Sequence, residues 1–119
     1  PPASDPIQRV RDLAAAYRAG ALAEPNYYRV MFLGAVPGYA PSGEALAAGD
    51  ATFAYLADAA RACMDAGIYR PGDPYAVAQV LWSAAHGVIS LELAGVLEPD
   101  EERYRAATSA AAEWFLARS

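Results

Sequence analysis

Asp73-Pro74-Tyr75-Ala76-Val77-Ala78-Gln79-Val80-Leu81-Trp82-Ser83-Ala84-Ala85-His86-Gly87-Val88-Ile89-Ser90-Leu91-Glu92-Leu93-Ala94-Gly95 is the stretch on which the fold turns. It opens with an N-cap acid and a proline at the first helical position, where a missing amide loses no hydrogen bond, and closes on a glycine suited to a C-terminal stop. Between them the spacing predicts one long helix to about Ala94. At about 100° per residue, Tyr75, Ala78, Trp82, Ile89 and Leu93 share one face, and Val77, Leu81, Ala84, Val88 and Leu91 share another. Only Gln79, Ser83, Ser90 and Glu92 relieve the apolarity. A helix apolar on two faces is covered on two sides, so one face is expected against the chain's own core and the other against a second subunit.

The same cap-plus-proline device stands at Asp5-Pro6-Ile7-Gln8, with Gln8 placed as a capping-box partner. Ile7, Val10, Ala14, Tyr17 and Ala21 then recur at helical spacing, predicting a helix to about Glu24. Pro25 restarts a short helix carrying Tyr28, Met31 and Phe32. Gly34, Pro37, Gly38, Pro41 and Gly43 form a loop dense in helix breakers, where mobility is expected. A third helix from near Ser42 carries Leu46, Phe53, Leu56, Ala60, Cys63 and Met64, and ends at Gly67 with Ile68 placed for a Schellman contact. Pro99 starts a last helix whose first turn holds Asp100, Glu101 and Glu102, at the positive end of the dipole, with Tyr104, Thr108, Ala111, Trp114 and Phe115 as its stripe. No alternating β-branched pattern and no internal repeat appears, so the fold class is all-α: a five-helix bundle forming a single domain over residues 1–119.

Composition narrows the function. At 119 residues one domain can bury roughly two-thirds of its unfolded surface. Apolar residues make up 55% of the chain and charged residues 19%, leaving apolar surface for a partner or ligand. Nine arginines scattered among fourteen acids give a net charge of −5, which argues against a phosphate-binding face. Arg, Asp, Glu or Gln interrupts every apolar segment short of the ~20 residues a bilayer crossing needs, and the N-terminus lacks a signal-peptide pattern, so a cytoplasmic protein without membrane contact is expected. Cys63, the single cysteine, allows no intrachain disulfide.

Candidate chemistry is sparse. His86, the only histidine, lies one turn beyond Trp82 at the border of the apolar face. It reads either as a buried imidazole bonded to a backbone carbonyl or a tyrosine, or as a polar contact for a ligand in an apolar pocket. Gly87 weakens a helix by about 1 kcal/mol against Ala, so a close approach by another helix is its preferred explanation. No spacing of His, Cys and carboxylates suits a metal, and Cys63 beside Met64 on an apolar face reads as inert filling. No nucleophile elbow or phosphate loop exists. No cofactor, no metal and no enzymatic activity are expected. The aromatics Tyr17, Tyr28, Phe32, Phe53, Tyr55, Trp82 and Trp114 read first as one shared core, and second as the walls of a cavity for an apolar ligand.

Leu81-Trp82-Ser83-Ala84-Ala85-His86-Gly87 resembles the Trp-x-x-x-His-Gly signature of one class of TetR-family C-terminal domains, the Trp-His-Gly class. Ala16-Tyr17 and Ala23-Glu24-Pro25-Asn26-Tyr27-Tyr28-Arg29-Val30-Met31-Phe32 resemble the same class, with its acid-plus-proline junction followed by Tyr-Arg-x-Met-Phe. The resemblance implies an N-terminal helix-turn-helix that reads DNA, a homodimer through the last two long helices, and a small-molecule pocket in each C-terminal domain. No basic three-helix segment precedes Pro1, so DNA reading is expected outside these residues.

Two functional readings follow. In the first, the domain dimerises and senses an apolar or amphipathic effector, with a coupling of ~1–3 kcal/mol to a DNA-reading domain, most simply in a repressor. Its expected ligand contacts are Tyr17, Phe32, Phe53, Leu56, Trp82, His86 and Ile89, and its expected dimer contacts are Ala84, Gly87, Val88, Leu91, Ala107, Ala110, Ala111 and Trp114. In the second, it is a dimerisation module without a ligand. An enclosed cavity of ~300 Å³ or more near Trp82 and Phe53 distinguishes them. A helical-bundle hydrolase or metalloenzyme would need inward carboxylate or histidine pairs one turn apart, and none is visible.

Overall fold

The computed structural model describes residues 5–32 and 43–118, and the side chains among them outside 30–32 and 43–50. Five helices follow in order: α1 (Pro6–Ala23), α2 (Pro25–Phe32), α3 (Gly43–Asp65), α4 (Pro74–Leu93) and α5 (Glu101–Glu113). The breaker-rich loop from Gly34 to Pro41 lies outside the described residues. So do the side chains of Met31, Phe32 and Leu46.

Helix ends follow the local chemistry of the sequence. Asp5 and Asp73 accept the amides of Ile7 (3.1 Å) and Tyr75 (2.9 Å), each just behind its proline. Gln8 departs from the capping-box expectation: its amide donates to Asp12 Oδ1 at 2.9 Å, one turn ahead instead of back to the cap. The last helix starts at Glu101 rather than Pro99. Asp100 is its cap, accepting the amides of Glu102 and Arg103, and Pro99 precedes it.

α3 and α4 stop by the same device. Gly67 and Gly95 take φ of 75° and 78°, in the left-handed region that glycine tolerates. Ile68 N–H then donates to Cys63 O (2.8 Å) and Val96 N–H to Leu91 O (3.0 Å), the long bond of a Schellman motif. At the α1–α2 junction Glu24 N–H reaches Gly20 O and Tyr28 N–H reaches Glu24 O, so Pro25 turns the chain without stranding these amides.

α4 packs against α3, α5 and α1, and α1 packs in turn against α3. Its buried residues are Val77, Ala78, Leu81, Ala85, Ile89 and Glu92, one stripe drawn from both faces that periodicity had set apart. Tyr75, Val80 and Leu91 stay exposed in this chain. By length and composition α4 could cross a bilayer, which corrects the expectation that polar residues cut every apolar segment short. In the fold three helices pack on it, a core position that selects the same composition.

The reading of the aromatics as one shared core needs a larger correction. Tyr55 is 63% and Trp114 72% exposed, while Tyr28, Tyr69 and Tyr104 are the buried rings. Trp114 falls beyond the end of α5, where the chain leaves the helix and lies along the α3–α4 loop. There Tyr69 and Leu116 form an isolated antiparallel bridge, with Arg70 N–H on Phe115 O and Ala117 N–H on Ile68 O, both 2.8 Å. Arg70 bonds Trp114 O, and its guanidinium stands 5.7 Å from the Trp114 ring centroid.

Candidate functional site

α1, α3 and α4 bring three aromatic side chains together. Trp82 meets Tyr17 edge-on at 6.4 Å between centroids and Phe53 at 5.7 Å, geometries that aromatic quadrupoles favour. With Leu56, Leu81 and Val10 they wall a cavity of about 50 Å³ whose surface is almost wholly apolar. That is well short of the ~300 Å³ a drug-sized ligand needs. A wider groove of about 470 Å³ adjoins it, sharing Leu13, Tyr17 and Thr52, and runs between α1, α2 and α3.

Four expected ligand contacts, Tyr17, Phe53, Leu56 and Trp82, thus line one cavity. Ile89 does not reach it: fully buried, it packs with Ala21, Tyr28, Ala85 and Tyr104. The Phe32 side chain lies outside the described residues. His86 turns to α2, its Nδ1 2.6 Å from Tyr28 Oη and its ring 5.3 Å from the tyrosine ring. Burial lowers the His86 pKa from its ordinary 6.5. Burial, then the neighbouring Tyr17 phenol, pushes Tyr28 upward. Both groups are therefore neutral at pH 7, and the tautomer of the imidazole sets which of the two donates in this bond.

Sequence reasoning missed a second polar cluster. Glu92, 5% exposed, lies on the buried stripe of α4 and joins three helices. Arg18 of α1 stands 3.3 Å from its carboxylate and Arg103 of α5 3.6 Å, while Asp100 N–H donates to it at 2.9 Å. Arg18 also covers the Tyr104 ring, whose hydroxyl donates to Ala14 O at 2.6 Å. The available signal was spacing. Glu92 sits seven residues, two turns, beyond Ala85, so it shares the angle of the core stripe.

Of the expected dimer contacts, Leu91 and Ala110 are exposed, and Ala84, Gly87 and Ala107 are half-buried. A Cβ added at Gly87 would meet nothing within 4 Å among the described residues, so none of them requires a glycine there. Val88 and Ala111 pack partly into the chain's own core. Trp114 projects from the end of α5. Among the described residues no three His, Cys, Asp or Glu come together as a metal site. Cys63 is buried, and burial pushes its thiol up, away from the reactive thiolate.

A bundle of helices around an aromatic cavity, with one long central helix apolar beyond its core stripe, defines an all-α helical-bundle domain. The family described as tetracyclin repressor-like, C-terminal domain, matches residues 10–114, and the chain belongs to that family. It is a family of transcription regulators. No curated protein and no solved structure matches the chain.

Proposed function

We propose that this domain is the effector-sensing and dimerisation half of a cytoplasmic TetR-like repressor, of the Trp-His-Gly class. It takes a small apolar or amphipathic ligand between α1, α3 and α4 and passes occupancy to a DNA-reading domain N-terminal to these residues. The observation that carries this reading is the convergence of Tyr17, Phe53 and Trp82 on one apolar cavity opening toward a larger groove. Because α1 supplies Tyr17 and Leu13 to both spaces, a ligand that fills them moves the helix nearest the N-terminus. Dimerisation is supported by the outer face of α4, where Val80 and Leu91 are 46% and 43% exposed beside Ala84 and Gly87.

The two halves of the proposal are tested together by native mass spectrometry of protein purified from its host. The expected species is a dimer carrying one small molecule per protomer, converted to monomer by Leu91→Arg. A strict monomer at micromolar concentration in sedimentation would sink the dimer. A second reading, a dimerisation module without a ligand, is favoured by the small volume beside Trp82. Ligand-free dimers, with Trp82→Ala leaving every retained mass unchanged, would decide for it.

A further inference from the structure

The groove beside the aromatic cavity has a charge character that the cavity lacks. Its walls include Tyr27, Tyr28 and Tyr55 together with Glu24, and among the described residues lining either space Glu24 is the only Asp, Glu, Lys, Arg or His. The nearby cations are engaged elsewhere. Arg29 donates to Asn26 Oδ1 (3.1 Å) and Leu93 O (2.8 Å), and Arg18 is held on Glu92. Glu24 has no ion pair among the described residues. The C-terminus of α1 and the N-terminus of α2 meet at Glu24–Pro25 with opposite dipole ends, so the carboxylate sets the local sign.

We infer that this groove binds a small lipophilic cation, with its apolar body against Leu13 and Tyr17 and its charge at Glu24 between the rings of Tyr27 and Tyr55. The inference rests on the ligand-sensing reading and names its ligand class. Tyrosine faces attract a cation through the ring quadrupole, and more strongly where water is displaced. Both rings are available, Tyr27 being 55% and Tyr55 63% exposed. An anion would lose twice, against the carboxylate and against the π faces. A neutral apolar molecule would draw no Coulombic attraction from the exposed Glu24 carboxylate. The groove of about 470 Å³ falls in the roughly 300–1,000 Å³ range of small-molecule sites. By contrast, the comparable groove between α1 and α5, about 510 Å³, mixes Arg11, Arg18 and Arg105 with Asp12 and Glu101, and selects no sign.

Tetraphenylphosphonium and tetraphenylborate, matched in shape and opposite in charge, test this by equilibrium dialysis at physiological ionic strength. The cation is expected to bind at least about tenfold tighter than the anion, and Glu24→Gln to weaken the cation about tenfold while sparing the anion. Glu98→Gln, which makes the same change in net charge away from the groove, is expected to leave both affinities unchanged. Equal affinity for the two ions, equal effects of Glu24→Gln and Glu98→Gln, or no binding of either ion would overturn the cation assignment. Native mass spectrometry separates this from failure of the ligand reading itself. A neutral host molecule retained by both wild type and Glu24→Gln would overturn the cation while leaving a ligand in the domain.

Discussion

Around Val77 and Leu81, α4 is packed by Val10, Ala59, Ala60, Cys63 and Tyr69, a cluster held by volume and burial. Around Ile89 and Glu92, two turns and more further on, each neighbouring helix is also tied by a polar contact: α1 through Arg18, α2 through Tyr28 and His86, α5 through Arg103 and the Asp100 amide. Hydrogen bonds and ion pairs fix register because they have direction, whereas apolar contact tolerates sliding as long as space is filled. The cavity beside Trp82 lies toward the apolar end. Under the proposed function, a ligand taken there would leave the register set at the polar end unchanged.

The largest expected effect is at the polar end. Glu92→Ala leaves Arg18, 12% exposed at the side chain, and the more solvated Arg103 beside a lost carboxylate. The expected cost is about 3 kcal/mol by urea denaturation, the lower end for breaking a buried pair. A cost under about 1 kcal/mol would erase the contrast between the two ends. Ile89→Ala, at a fully buried position, is expected to cost about 2–3 kcal/mol through lost burial and a new void. Together they ask whether the polar tie or the packing dominates that end.

Tyr28→Phe removes the 2.6 Å bond to His86 and keeps the ring, so about 1 kcal/mol is expected in the same assay. The pH response of this pair has a definite sign. The fold holds His86 below its ordinary 6.5, so below that pH the unfolded chain binds more protons than the folded one. Stability present at neutral pH is therefore lost as the pH falls through 6.5 toward the folded value. Melting temperatures measured between pH 7 and 5.5 should fall more steeply for the wild type than for His86→Gln. The smallest effect is expected at Gly87. With open space around its would-be Cβ, Gly87→Ala should stabilise an isolated chain by roughly 0.5–1 kcal/mol through backbone entropy. A loss of dimer in sedimentation would instead place a neighbouring subunit against it.

Much of the fold was legible because its signals are local. Asp5, Asp73, Gly67 and Gly95 act within a turn of their own positions, and any tertiary setting leaves the physics of a cap or a left-handed stop unchanged. Legibility fell where a residue's role depends on what arrives from elsewhere. Trp114 looked like core from its spacing in α5, yet the helix ends at Glu113 and the ring sits outside, under Arg70. Glu92 looked like a polar interruption, and became a buried tie because Arg18 and Arg103 converge from helices 74 and 11 residues away in sequence.

The site divides in the same way. The sequence by itself determined the helix class, four of the five helix starts to within a residue, and four aromatic or aliphatic residues, Tyr17, Phe53, Leu56 and Trp82, that border one cavity. Periodicity sufficed there because it fixes which side of a helix a residue occupies. Only the tertiary structure decided that the cavity is small and the groove beside it large, that His86 serves Tyr28, and that α4 buries one mixed stripe. Those facts depend on how far apart helices stand and how they are rotated, quantities set by the summed packing of all neighbours.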